Sequence, residues 1–301
     1  MGVNPRAAGS GRRSINIRFF RPHMTLMARP RAGTAVTPAS APAARADKAQ
    51  RGIQSVEVGA RLLAALAAAR VPMPLAALAD AAQLAPAQAH AYLVSLARLG
   101  LIKRDHLSGR YEPGPLSLRL GLLHLEQDAA WRAALPRADA LAQALGCSVA
   151  ICLAGPQGPT IVRYVPATAP LHVNLHVGTV MALAATATGR VFCAFQPPAQ
   201  WQPLWQAQQP EATAADLAAF GARLAEIRAR GIERSIDAPS PAVSSLSVPV
   251  LDGAGALRLV LTLVGSTGAI DVDWHGAAAR ALLSAGAEIG AALREPDGEQ
   301  A

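Results

Sequence analysis

The sequence has 301 residues, 51% of them apolar and 16% charged, which is material for two packed domains and excludes a chain disordered throughout. Its longest unbroken apolar run, residues 62–69, falls far short of a bilayer span, and Cys147, Cys152 and Cys193 make neither a CxxC nor a zinc spacing. An integral membrane protein, a disulfide scaffold and a structural metal site are set aside, and the cysteine usage fits a reducing cytoplasm. The formal charge of +8 divides unevenly: residues 1–52 carry ten Arg and Lys against the single acid Asp47, a net +9, and the remainder comes to −1. Two readings of this tail stay open. It is an arm for phosphate, or a by-product of an Arg-, Ala- and Pro-rich composition in which Lys48 and Lys103 are the only lysines. Arg12-Arg13 leads into Arg18 and Arg21 rather than an apolar run, so no export signal is read there, and Met24 and Met27 stand as alternative starts.

Residues 28–50, rich in Pro, Ala, Ser and Thr, read as linker, so residues 1–52 are expected to be a disordered basic tail and structure to begin near Ile53. Val56, Leu62, Leu63, Leu66 and Ala67 fall near helical spacing, and Pro72 and Pro74 stop that helix. A second helix covers residues 75–82. Pro86 opens a third, with Ala89, Leu93 and Leu96 on one face and Gly100 just beyond its end. Residues 101–105 and 109–112 make a short hairpin, so residues 53–115 read as a winged helix-turn-helix. Leucines at 116, 118, 120, 122, 123 and 125 predict a connecting helix over 116–130.

A domain over 131–296 follows. A helix covers 131–145, and strands are expected at 148–154, 160–166 and 171–177. Helices are expected at 181–195 and 213–230. A hairpin of 245–251 and 256–264 turns about Asp252-Gly253-Ala254-Gly255, and a last helix covers 276–293. Hairpin-joined strands interleaved with helices make this an α+β fold built on an antiparallel sheet.

The order of several short motifs resembles the IclR family of bacterial transcription regulators. In the first domain these are Ile53-Gln54-Ser55-Val56-Glu57, Leu75-Ala76-Ala77-Leu78-Ala79, His90-Ala91-Tyr92-Leu93 with Gly100-Leu101, and Ser108-Gly109-Arg110-Tyr111 with Gly114-Pro115. In the second they are Gly158-Pro159-Thr160-Ile161-Val162-Arg163, Ala187-Thr188-Gly189-Arg190 and Ser247-Val248-Pro249-Val250. The resemblance covers about residues 53–295. It implies a GAF-like effector domain controlling DNA binding, in a homodimer or dimer of dimers, with a double-stranded DNA operator and a small organic acid as partners, no cofactor and no catalytic residue.

On that reading the third helix enters the major groove and the wing touches backbone. Gln88 and His90 are the candidates for base edges, and Arg98, Arg104 and Arg110 for phosphates. The family pattern carries Lys, Ser, Thr and later Arg on this helix, where the present chain has Pro86, Ala87, Gln88 and Ala91. That leaves one amide and one imidazole for direct readout.

The resemblance also implies an acid-binding pocket at Thr188, Asp237, Ser245, Thr262 and Val264. A carboxylate needs convergent donors in an apolar cavity, and Thr188, Ser245 and Thr262 carry hydroxyls. Val264 stands where many relatives have a hydroxyl, which favours an aromatic or branched acid over a two-carbon one.

Other constellations are weaker. His172, Asn174 and His176 alternate along an expected strand, but no third ligand stands at fixed spacing for a metal. Cys147 and Cys152 have apolar neighbours and no adjacent cation to activate a thiolate. Asp271, Asp273 and His275 fit a loop that caps a helix. A second reading of the whole chain is a GAF-fold enzyme or ligand-binding module whose winged helix serves only dimerisation or partner contact.

Overall fold

The computed structural model of the protein describes residues 52–167, 171 and 173–294; the expected tail over residues 1–51 lies outside them. Three helices come first, α1 (Gln54–Ala69), α2 (Leu75–Ala81) and α3 (Pro86–Arg98). Leu62, Leu66, Leu78, Ala89, Leu93 and Leu96 close a small core between them. Pro86 sits in the first turn of α3, where its missing N–H costs nothing. Past the end of α3, Gly100 takes φ +75°, the Leu101 N–H donates to the Leu96 carbonyl, and the Gly100 N–H donates to that of Ala97. Only a left-handed residue closes a helix this way, and the chain is turned directly into the wing. The wing strands β1 (Ile102–Arg104) and β2 (Tyr111–Pro113) pair antiparallel, anchored inward by Ile102 and Tyr111.

The apolar run after the wing is α4 (Pro115–Gln127), which buries none of its residues; Leu118, Leu120, Leu122 and Leu123 all face outward. The connecting helix expected over 116–130 is interrupted. Asp128 is extended at φ −79°, ψ 110°, ending α4 and capping α5 (Ala129–Leu145) with a carboxylate that accepts the Trp131 N–H at 2.9 Å. An aspartate is better placed as a cap than inside a helix, and the chain breaks there.

The C-terminal part is an α/β layer on one antiparallel five-stranded sheet. Its strands are β3 (Ser148–Gly155), β4 (Gly158–Val165), β5 (Glu233–Ser235), β6 (Val243–Leu251) and β7 (Leu257–Ser266), in the order β4-β3-β7-β6-β5. Between β4 and β5 run α6 (Ala187–Phe195), α7 (Pro198–Gln208) and α8 (Ala214–Arg230); α9 (Ala277–Ala292) closes the domain. Alternation along the strands sorts the two faces. Val149, Ile151, Leu246, Val248, Leu261 and Leu263 pack on α5 and α9. Ala150, Cys152 and Val260 look the other way, into a core shared with α6, α7 and α8. Among the described residues no helix is long and apolar enough to cross a membrane.

Two expectations need correction, and two elements were not expected. Leu171 and residues 173–176 form no strand; the free edge of β4 is paired instead by the segment just after them. The Ile161 N–H donates to the Thr179 carbonyl, and the Gly178 and Met181 N–H groups donate to the carbonyls of Ile161 and Pro159. The helix expected from residue 181 begins only at Ala187, because Thr186 caps it by accepting the Gly189 N–H at 2.9 Å. Finally, α7 and β5 carry no clear periodicity: α7 holds Pro203 in its interior, and β5 is three residues long. What fixes α7 is Trp201 and Trp205, one turn apart, both against Phe220 at 5.6 Å between ring centroids.

Candidate functional site

The outer face of α3 presents Ala87, Gln88, His90 and Ala91 to solvent, with Arg98 exposed in its last turn. Ser95 does not add a free donor, since its hydroxyl bonds back to the Ala91 carbonyl at 3.2 Å. Arg104 and Arg110 are exposed but tethered. The Arg104 Nε donates to the Gly109 carbonyl at 3.0 Å, and an Arg110 Nη reaches the Pro72 carbonyl at 3.1 Å. The wing tip is held by Asp105, whose carboxylate accepts both the backbone N–H and the hydroxyl of Ser108 and so lies below the usual carboxylate range. Each wing arginine thus spends one donor on a backbone carbonyl and is otherwise exposed.

In the C-terminal part, cross-strand register builds two polar rows on the face that looks toward α6. One runs Ala150, Thr262, Ser247, Glu233 across β3, β7, β6 and β5. The next runs Ser148, Val264, Ser245, Ser235. Thr188, in the first turn of α6, comes down onto the first row. Its Oγ1 is 2.9 Å from the Thr262 Oγ1 and 3.4 Å from the Ser247 Oγ, and Ser247 and Thr262 are 2.9 Å apart. All three hydroxyls are buried. Gly189 permits this approach: a Cβ there would collide with the carbonyl oxygen of Ala182 and the backbone of Leu183.

Of the five pocket positions expected from the sequence, Thr188, Thr262, Val264 and Ser245 therefore share one site, with Ser245 half-buried at its border. Asp237 is not brought there. It is exposed with φ +51°, and its carboxylate accepts the Ala242 N–H at 3.1 Å, so it shapes the turn into β6. Its short side chain suits a left-handed turn, and that local bond holds it outside the sheet face.

Sequence reasoning missed Ser247, although it stands two residues along the same strand face as Ser245. It also missed the ion pair at the end of the first row. There the Arg190 guanidinium, on α6, meets the Glu233 carboxylate at 3.4 Å with both side chains at least 93% buried. Arg190 also donates to the carbonyls of Ala184 (2.8 Å) and Arg234 (2.9 Å), while its Nε has no partner among the described residues. Burial pulls the guanidinium below its ordinary range, and Glu233 opposes that pull. The Glu233 Oε1 also accepts from Arg223 at 3.3 Å and from the Arg234 N–H at 3.0 Å.

The remaining constellations are structural. Asp271 and Asp273 accept N–H groups of Asp273, His275 and Ala277 and so cap the entry to α9. Burial pushes the Cys152 and Cys193 thiols up to about 12 and raises that of Cys147, which keeps them protonated at neutral pH. The His176 Nδ1 lies 2.6 Å from the Thr179 Oγ1; His172 is outside the described residues. No cluster of three metal-ligating side chains occurs among the described residues.

Comparison with known proteins agrees with this architecture. The family model for the IclR helix-turn-helix domain matches residues 55–106, and that for the C-terminal region of bacterial transcriptional regulator IclR matches residues 125–291. The glycerol operon regulatory protein of Streptomyces coelicolor is 31% identical over 223 residues, covering 73% of this chain and 87% of the relative. Its namesake in Streptomyces griseus is 32% identical over 246 residues, covering 81% and 96%. The crystal structure of Pseudomonas aeruginosa HmgR aligns at 30% identity and TM-score 0.53, over 82% of this chain and all of that one. These matches set the enzyme reading aside, since both families and relatives are regulators. With a winged helix in front of a one-sheet α/β domain and both parts matched in order, the chain belongs to the IclR family of bacterial transcriptional regulators.

Proposed function

We propose that this regulator is switched by a small organic acid, an aromatic or branched acid in preference to a two-carbon one. Residues 53–115 form its reading head, 116–130 its linker and 131–296 its effector domain. The observation that carries the reading is the buried set Thr188, Ser247 and Thr262, whose hydroxyls meet one another beneath α6. Hydroxyls that satisfy only each other can be turned toward a carboxylate, which accepts two or more charge-assisted hydrogen bonds. Ala150, Cys152 and Val264 border them on the same face, so the surroundings suit a ligand with an apolar body. A polyol is the second reading, supported by the same hydroxyls together with the names of the two Streptomyces relatives. The experiment is a mobility shift on DNA upstream of the protein's own gene, with benzoate-type acids, branched acids, glyoxylate and glycerol in separate lanes, backed by thermal shift. Release or tightening by aromatic or branched acids is expected, with Thr262→Val blunting it. A response confined to glyoxylate-sized acids or to glycerol overturns the preference.

On DNA, Gln88 and His90 would face base edges, and Arg98, Arg104 and Arg110 phosphates. Such a regulator would work in the cytoplasm as a homodimer or dimer of dimers. The outward leucines of α4 support this. They flank a shallow groove of about 370 Å3 between Leu118, Leu122 and Leu123, and leucines exposed side by side in this way mark an interaction surface. Sedimentation at micromolar concentration is expected to give an even-numbered oligomer, and Leu118→Asp with Leu122→Asp to give a monomer. A wild-type monomer at that concentration would remove α4 as an interface.

A further inference from the structure

Outside the hydroxyl cluster, an open groove of about 710 Å3 runs between α8, β5 and the loop before α9. Arg223, Glu226, Arg230, Glu233, Arg234 and Trp274 line it. We propose that this groove binds a phosphate monoester of small-metabolite size, at a site separate from the hydroxyl cluster. The charge balance favours an anion: three guanidiniums face two carboxylates, and one of those, Glu233, is already held by the buried Arg190 behind it.

The guanidiniums are also placed in advance. Those of Arg230 and Arg234 lie over the Trp274 indole, 4.2 and 4.3 Å from the ring centroid. Stacking fixes the plane of a guanidinium and leaves its N–H edge free for an oxyanion. Arg234 uses one of its donors on the Val272 carbonyl at 3.0 Å. Arg230 has no carboxylate within 4.0 Å among the described residues, although Glu226 precedes it by one turn of α8, the spacing at which such pairs form. An arginine held over a ring, with no ion pair of its own among the described residues, is a receptor group that has little left to order when a ligand arrives.

Phosphate fits better than carboxylate. The groove already holds two carboxylates, and a monoanionic acid would offer Arg223 and Arg230 nothing that these do not. A phosphate monoester carries nearly two charges and three acceptor oxygens, enough to bridge two guanidiniums. The volume exceeds what inorganic phosphate fills, and Ile236, 46% exposed at the rim, gives an organic group apolar surface to cover. Binding there draws Arg223 away from the Glu233 oxygen that it shares with Arg190, two residues after Thr188.

The test uses full-length protein in chloride buffer, titrated with phenyl phosphate, inorganic phosphate and benzoate by calorimetry and tryptophan fluorescence. Phenyl phosphate is expected to bind at least tenfold tighter than inorganic phosphate and to be undisturbed by benzoate. Arg230→Gln and Arg223→Gln, both on the exposed side of α8, are each expected to weaken it at least tenfold while lowering the melting temperature by no more than a few degrees. Thr262→Val should leave it alone, and Trp274→Phe should abolish the fluorescence change. Full affinity in both arginine variants would put the phosphate on other arginines and overturn the site. Loss in Thr262→Val, or displacement by benzoate, would move the ligand into the hydroxyl cluster and equally overturn it, as would no binding at millimolar phenyl phosphate.

Discussion

Deleting residues 1–50 is expected to flatten the salt dependence of DNA binding by several units in the slope of log K against log salt. On the proposed reading, direct readout from α3 would be poor, because Ala87 and Ala91 occupy its outer face and Gln88 is the one candidate for a bidentate pair with a base. Affinity would then come from phosphates, and residues 1–50 bring a net +8 to a chain that is otherwise neutral. Each phosphate neutralised adds about −0.9 to the slope, so engagement of half that charge changes it by about 4. Gln88→Ala should act in the opposite manner, relaxing discrimination by roughly 1–3 kcal/mol at one base pair while leaving the slope nearly alone. Filter binding or fluorescence anisotropy from 50 to 300 mM salt separates the two. An unchanged slope after truncation would make the tail a by-product of composition and leave Arg98, Arg104 and Arg110 to hold the DNA.

Glu233→Ala should be among the most destabilising single changes in the C-terminal part, costing about 3–5 kcal/mol in urea or thermal unfolding. The carboxylate is 3% exposed and Arg190 7%, so its removal leaves a desolvated guanidinium without a counter-ion and with an Nε that already has no partner among the described residues. Arg223→Ala removes a second ion pair to the same oxygen but from a side chain 53% exposed, and should cost no more than about 1 kcal/mol. The contrast is the measurement. Equal losses in the two variants would mean that the buried pair contributes little beyond its solvated neighbour.

The contrast between these residues also explains what could be read in the sequence. Helices α1 to α3, α5, α8 and α9 announce themselves through apolar spacing and end signals, such as Pro86 before Ala89, Leu93 and Leu96, and the Thr213–Asp216 capping box of α8. The β6–β7 hairpin is marked by Asp252, whose side chain accepts two N–H groups of its own turn. These are local interactions, carried by neighbours in the chain. The Arg190–Glu233 pair spans 43 residues, and nothing near either residue signals the other. The alternation of Leu171, Val173 and Leu175 suits a strand, yet the edge of β4 was taken by residues 178–181, a competition between segments that period-2 patterning does not decide. The resemblance implies Thr188 and Thr262 as pocket positions, whereas the meeting of Ser247 with them rests on the register of β6 on β7, which no local pattern reveals.

Asp128 sets the mechanics between the reading head and the sheet. It is the one residue between α4 and α5, and its carboxylate is tied both to the Trp131 N–H and, at 3.3 Å, to Arg258 near the start of β7. The 13 residues of α4 make a rod about 20 Å long, so one degree of bend at Asp128 carries its far end through about 0.35 Å. In the proposed dimer, two reading heads would have to stand about 34–36 Å apart to meet successive major grooves. A bend of some ten degrees in each of two such arms would shift that separation by several ångströms, enough to take the pair out of step with the DNA.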